Sequence, residues 1–321
     1  MSAEAAHRAK VTVIGEALID LVPGSEPWSF AACPGGSPYN VAIGLSRLGH
    51  DTTLMARLAD SGFGRALRDR AAAEGIHLDA APYATEPATL AVVSLDAEAR
   101  ASYDFYVDGT ADWQWSASET GKAPAATAAF HFGSLASWTP PGCEHILDLA
   151  RVMRDRDVLV SYDPNIRPRL VKDPADGQRM VERGVRLAHL AKASSEDIAW
   201  LYPGQSIEET ARHWLRLGAT AVVITDADKG ASAFTTSDQP VHRPARDVVV
   251  ADTVGAGDSF TAGLLASLIK RNCHSPRQLA QLPARTMSAV LDDAILVSSL
   301  TCQRQGSDPP TDLEVRRASA V

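Results

Sequence analysis

No stretch of the chain approaches the roughly eighteen consecutive apolar residues that a membrane-spanning helix needs. The polar segment from Met1 to Lys10 likewise lacks the apolar core of a secretory signal. Both absences point to a cytoplasmic protein with no membrane partner. Cysteine is scarce: the four, Cys33, Cys143, Cys273 and Cys302, form no Cys-x-x-Cys pair. That spacing offers neither a zinc site nor a disulfide framework and suits a reducing compartment. No run of Lys and Arg occurs, and at a net charge of −8 the chain has no clustered cations with which to grip a nucleic-acid backbone. An anionic ligand must therefore be held locally. Also missing are Gly-x-x-x-x-Gly-Lys-Ser/Thr, Gly-x-Gly-x-x-Gly, His-Glu-x-x-His and Gly-x-Ser-x-Gly, which sets aside P-loop, dinucleotide, zinc-peptidase and hydrolase-elbow chemistry. The nine histidines are scattered, and no repeat or low-complexity tract suggests a solenoid or a disordered scaffold.

What is present is enough apolar material, 45% of 321 residues, for a substantial core in one large α/β domain or two smaller ones. Short apolar runs alternate with helical spacing. Strands are expected at Lys10 to Gly15, Thr53 to Leu58, Phe130 to Phe132, Val158 to Tyr162, Leu190 to Ala193, Ala221 to Thr225, Ala231 to Thr235 and Val248 to Asp252. Helices are expected at Asn40 to Leu48, up to Glu74, Cys143 to Arg154, up to Leu187 and from Ala262 to Ile269. Such alternation predicts a mostly parallel sheet with helices on both faces. Pro23 to Pro34 reads as a loop, whereas Ala88 to Leu95 and Ala101 to Tyr106 read as a hairpin outside that sheet.

The stretch with most chemistry is Asp252-Thr253-Val254-Gly255-Ala256-Gly257-Asp258-Ser259-Phe260, a small-residue turn feeding a helix. Gly255, Ala256 and Gly257 leave backbone N–H groups uncovered where the helix dipole also favours an anion. Asp258, at the mouth of that nest, is placed to take a proton from a hydroxyl attacking a bound phosphoryl group. Read alone, the same turn is an ordinary loop with an N-cap aspartate.

This turn resembles the C-terminal Asp-Thr-x-Gly-Ala-Gly-Asp signature of the ribokinase-like, or PfkB, sugar kinases. Gly35-Gly36-Ser37-Pro38-Tyr39-Asn40-Val41-Ala42, with Leu45, Leu48 and Gly49, is similar to the family's N-terminal sugar-binding signature. Gly15 to Asp20 and Asp163-Pro164-Asn165-Ile166-Arg167-Pro168 resemble the fructokinase branch. The resemblance implies a single ribokinase-like domain over residues 1–321, with a β lid from about 18–34 and 86–112 through which two copies pair. It implies ATP with Mg²⁺, and room for a monovalent cation such as K⁺. Asp258 would be the base, and Asp20, Gly35, Gly36, Asn40, Tyr106, Asn165 and Arg167 would hold the sugar. Thr225, Gly230, Ser194 and Thr253 would hold the nucleotide, with Asp197 reaching the metal through water. Departures from the family pattern stand at Ala59, Ser61, Ala227, Ser194 and Asp197. D-fructose is the expected substrate, with ribose and 2-keto-3-deoxygluconate as the alternatives within the family. The sugar acid is disfavoured because Tyr106-Val107-Asp108 puts an aspartate where an arginine would be expected, leaving Arg167 and, more distantly, Arg100. A non-catalytic sugar or nucleotide sensor is the rival outside enzymology.

Overall fold

The computed structural model describes residues 9–95, 101–236 and 239–319. In chain order the strands are β1 Lys10–Ile14, β2 Leu18–Pro23, β3 Phe30–Gly35, β4 Asp51–Met55, β5 Leu58–Ala59, β6 Tyr83–Ala84 and β7 Leu90–Leu95. After them come β8 Ala101–Tyr106, β9 Ala129–Gly133, β10 Leu159–Asp163, β11 Leu190–Ser194, β12 Ala221–Thr225, β13 Ala231–Thr235 and β14 Val241–Arg243. The helices are α1 Ser37–Arg47, α2 Gly62–Ala73, α3 Ala117–Thr120, α4 Cys143–Asp155, α5 Pro174–Val185 and α6 Ser195–Leu201. The remaining ones are α7 Ile207–Leu217, α8 Ala256–Lys270, α9 Pro276–Ala280, α10 Ala284–Cys302 and α11 Asp312–Ser319.

An eight-stranded sheet runs in the order β14-β13-β12-β11-β10-β9-β1-β4, parallel except where β13 and β14 turn back at one edge. Period-2 alternation splits its side chains between two cores. Phe130, Phe132, Val160, Tyr162 and Val222 pack against α4, α5 and α7, while Val11, Val13, Leu54, Leu159 and Val223 pack against α1, α8 and α10. Burial on both faces is why these strands read as continuous apolar runs. Two expectations fail locally. Phe30–Gly35 is a strand, not a loop, because it pairs antiparallel with β2 and confines the turn formers to the hairpin between them. Val248 to Asp252 is β-branched yet joins no ladder, and Val249 lies 89% exposed.

A second sheet, β3-β2-β7-β8, stands beside the first. Its chain crossings are pinned by buried polar groups. Asp112 accepts the Ala17 N–H at 2.9 Å, the Thr89 and Thr110 hydroxyls share a hydrogen bond of 2.6 Å, and Arg57 donates to the Ala111 carbonyl at 3.0 Å. The Arg57 guanidinium also pairs with Glu86 at 2.8 Å and Glu119 at 2.5 Å. Glu16, at the same junction, accepts the Ala136 N–H at 3.1 Å.

Burial pushes the Glu16 carboxyl up to about 7, against the opposing hydrogen bonds from Ser134 and Ala136, and likewise carries Asp112 to about 6. The folded chain then holds protons that the unfolded chain has lost, so stability falls as pH rises from the ordinary carboxyl range of 4.5 through about 7. We predict that Glu16→Gln makes this decline shallower by roughly 2–3 kcal/mol. Urea unfolding at intervals from acid to mildly alkaline pH checks it, and parallel curves for the two proteins would reject it.

Candidate active site

The reactive turn is shaped from below. Asp252 accepts the Val254 N–H at 3.1 Å and, through its other oxygen, the Gly306 N–H at 2.8 Å. The chain then enters Gly255 at φ 76°, a left-handed conformation that favours glycine, and a side chain there would strike Ser307. α8 starts at the next residue. The expected three-amide nest needs one correction: the Ala256 N–H turns back to the Thr253 carbonyl at 3.2 Å. The Gly255 N–H stands ahead of the helix, and the amides of Gly257 and Asp258, in the first helical turn, have no intrahelical acceptor and remain for an anion.

Asp258 is buried. Its two oxygens accept the Ser37 hydroxyl at 2.6 Å and the Asn40 amide at 2.8 Å, both from α1. Ser37 was missed in the sequence, where it stands in the N-terminal signature without a role of its own. Asn40, expected on the sugar, spends its amide donor on the base. Burial raises the Asp258 carboxyl, while Ser37, Asn40 and Lys192 pull it back. Asp20 faces the same hollow: burial lifts it to about 6, Arg167 lowers it and Asp258 raises it. The glycines before α1 also need correction. Asp20's carboxylate occupies the space a Gly35 side chain would take, and a Gly36 Cβ would lie 2.6 Å from the Glu16 carbonyl. Their bareness serves the protein's own packing.

Beyond β10, Asp163 accepts the Asn165 N–H at 3.1 Å, and Asn165 Oδ1 accepts from the Arg167 guanidinium at 2.7 Å. Asn165 therefore orients the guanidinium. Asp197 is fully engaged as a helix cap: one oxygen accepts the Ser194 N–H at 2.9 Å and hydroxyl at 2.7 Å, the other the Ile166 N–H at 3.2 Å. Thr225 ends β12 and donates to the Ala193 carbonyl at 3.4 Å, and Gly230 closes the following turn at φ 99°. In that turn Ala227 stands at φ 42°, a left-handed conformation that a residue with a Cβ adopts at a cost. Ala59 is buried in β5, and Ser61 caps α2 by accepting the Gly64 N–H at 3.3 Å.

The smaller sheet decides what roofs the hollow. Pairing places Asp20, Ala91 and Phe105 on one face, with Tyr103 two residues before Phe105; Tyr106, paired with Leu90, lies on the other face. Tyr106 is 62% exposed and so leaves the expected sugar set. Tyr103 lies on the inward face instead: burial and Asp20 raise its phenol while Arg167 opposes them. Asp108 lies past the end of β8 and is exposed, and Arg100 falls outside the described residues.

Bare amides beside a buried carboxylate, at the carboxyl ends of parallel strands, define a phosphotransferase acting on a hydroxyl. The chain belongs to the pfkB family of carbohydrate kinases, whose profile matches residues 8–313. It is 36% identical over 280 residues to a fructokinase of Rhizobium leguminosarum bv. trifolii, covering 85% of this chain and 84% of that one. It is 32% identical over 274 residues to an aminoimidazole riboside kinase of Salmonella typhimurium, covering 85% of each. The fructokinase of Vibrio cholerae O395, solved with fructose, ADP and calcium ion, superposes with a TM-score of 0.83 at 25% identity, covering 97% of this chain and 98% of the other.

A Cβ on Gly257 would stand 3.3 Å from the Lys192 ammonium, so a branched side chain there crowds the open amides and the cation beside them. We predict that Gly257→Val removes nearly all turnover while folding persists. Calorimetry with ATP and thermal unfolding test the two halves, and tight ATP binding by the variant would exclude the nest.

Proposed function

We propose that the protein transfers the γ-phosphoryl group of Mg-ATP to the primary hydroxyl of free D-fructose, giving fructose 6-phosphate. One observation carries the reading: Asp258 is a buried carboxylate, held by Ser37 and Asn40, at the mouth of the Gly257–Asp258 amides. In this reading Asp258 takes the proton from the attacking hydroxyl as the phosphoryl group leaves ADP, and the amides receive the charge on the transferring oxygens. Because such transfer is loose, alignment and charge neutralisation matter more than basicity. Asp20, Tyr103, Asn40 Oδ1 and Arg167 line the sugar side. The fructokinase relatives favour fructose over ribose and aminoimidazole riboside.

The residues fit a divalent ion carried by the nucleotide. Among the described residues no three His, Cys, Asp or Glu side chains converge on a metal position. Asp197, with both oxygens engaged, keeps lone pairs for a water but is poorly placed for an inner bond. When bound, the ion neutralises charge on the phosphates. We read the smaller sheet as a lid and as the contact for a homodimer, since Trp28 is 97% and Phe30 47% exposed on it. Four free thiols suit a cytoplasmic setting.

Asp258→Asn keeps the shape and removes the proton acceptor, so turnover is expected to fall by roughly 10²–10⁴-fold with sugar binding retained. Turnover near the wild-type rate would reject the assignment. Side-by-side kcat/KM values for fructose, ribose, aminoimidazole riboside and 2-keto-3-deoxygluconate test the substrate. Saturable sugar binding without ADP release from the wild type would instead establish a sensor.

A further inference from the structure

Lysine is rare in the middle of a buried parallel strand, because a long cationic side chain there must find a partner. Lys192 occupies such a place in β11, between Ala191 and Ala193, and is 5% exposed at its side chain. Its ammonium pairs with Asp163 at 2.8 Å, and the Asp163 side chain is 3% exposed. Three further observations aim this pair at the reaction. The ammonium lies 3.3 Å from the position of a Cβ on Gly257, directly against the first turn of α8. The Thr261 hydroxyl of α8 reaches the same Asp163 oxygen at 3.4 Å. The other Asp163 oxygen accepts the Asn165 N–H at 3.1 Å and so shapes the loop that carries Arg167.

We propose that Lys192 is a positioning residue for phosphoryl transfer: clamped by Asp163, its buried ammonium turns the positive end of that ion pair toward the Gly257–Asp258 amides where the transferring group is received. The proposal rests on the kinase reading above. Two peptide N–H groups supply only partial charges, whereas the transferring group spreads a formal negative charge over its oxygens. An ammonium in a water-excluded position acts on that charge more strongly than it would in solvent. Asp163 keeps the cation from relaxing away from the nest, and Thr261 ties the pair to α8. The same charge favours ionised Asp258.

A buried ion pair often serves packing alone, and removing one partner destabilises a fold whatever its function. The test therefore removes both charges together. Lys192→Met/Asp163→Asn replaces the pair with neutral groups of similar size, and Asn at 163 keeps an oxygen for the Asn165 N–H. We expect this double variant to unfold at a temperature close to that of the wild type. Its kcat should fall by roughly 10²-fold, the usual effect of losing one charge-stabilising donor, while the sugar KM stays within about threefold. The acid limb of its kcat/KM profile should also move to higher pH, because Lys192 lowers the Asp258 carboxyl more than Asp163 raises it. The charges facing Asp258 in that measurement are Lys192 and Asp163 from the central sheet and Asp20 from the smaller one, with Asp197 and His131 close to the pair. Lys192→Arg keeps the charge and should retain most of the wild-type kcat.

A folded double variant that turns over within about threefold of the wild type, with its acid limb unmoved, overturns the proposal. Failure of both the double variant and Lys192→Arg to fold overturns it as well, assigning the pair to stability alone. Wild-type protein is assayed first on the sugar panel. If it is inert toward every sugar, the kinase reading falls and takes this proposal with it, an outcome distinct from an active wild type matched by its variant.

Discussion

Asp258 is a carboxylate kept out of water, and much of the surrounding architecture follows from what that requires. A buried negative charge must be met by donors of fixed position, because water is not available to reorient around it. Here the donors come from α1, whose Ser37 and Asn40 lie 221 and 218 residues away in sequence. Two helices therefore have to bring their N-terminal turns together on one face of the sheet. Close approach is secured by small residues: a Cβ on Gly44 of α1 would stand 2.7 Å from Ala262 of α8. The anion-attracting ends of both helices then converge on the place where phosphate charge is to be received.

The parallel sheet supplies the other half of the site from its strand ends. β1 leads to Glu16 and the smaller sheet, β10 ends at Asp163 and β11 carries Lys192 and Ser194. Each strand delivers a polar group to one edge, as expected where ligands gather at the carboxyl ends of parallel strands. The smaller sheet is covalently an excursion from this edge. Asp112 and Arg57, with the Thr89 and Thr110 hydroxyls, anchor its crossings with hydrogen bonds buried from solvent. Its face bearing Asp20, Tyr103 and Phe105 is thereby turned inward, and the opposite face, with Tyr106, is exposed.

Legibility in the sequence followed the range of the physics. The reactive turn was readable because a glycine turn, a helix start and a carboxylate are all local, and strand–helix alternation needed only periodicity. Ser37 was not readable, since its role depends on a helix more than two hundred residues later. Lys192 left a fainter signal, a charge inside an apolar strand, which demands a partner without naming it. Tyr106 could be named from the sequence but not its orientation, because a period of two gives two faces and does not say which one is inward; only the pairing of β8 with β7 does. Val248 to Asp252 shows the converse limit, where β-branched residues favour extension but no neighbouring strand is available to pair.

The same register changes the ground on which a sugar acid is disfavoured. The exposed Asp108 lies beyond β8 and does not face the hollow, so repulsion by it carries no weight. The residue two positions on from Tyr103, on the inward face, is Phe105, which offers a carboxylate no cation. Among the described residues, Arg167 is the cation set against Asp20. One of its amino groups is committed to Asn165 Oδ1 at 2.7 Å, to the Asn165 carbonyl at 3.2 Å and to the Ile166 carbonyl at 3.1 Å. Its charge is also set against Asp20, whose carboxyl it lowers against burial. With Asp20 and Asp258 already in the hollow, a substrate carboxylate would add a third negative charge to one partly committed guanidinium. Coulomb repulsion in a water-poor site makes that arrangement costly. A neutral polyol avoids the cost, since hydroxyls carry no charge and both donate and accept hydrogen bonds. The balance of charge inside the hollow, and not the sequence of its rim, is what favours a neutral sugar.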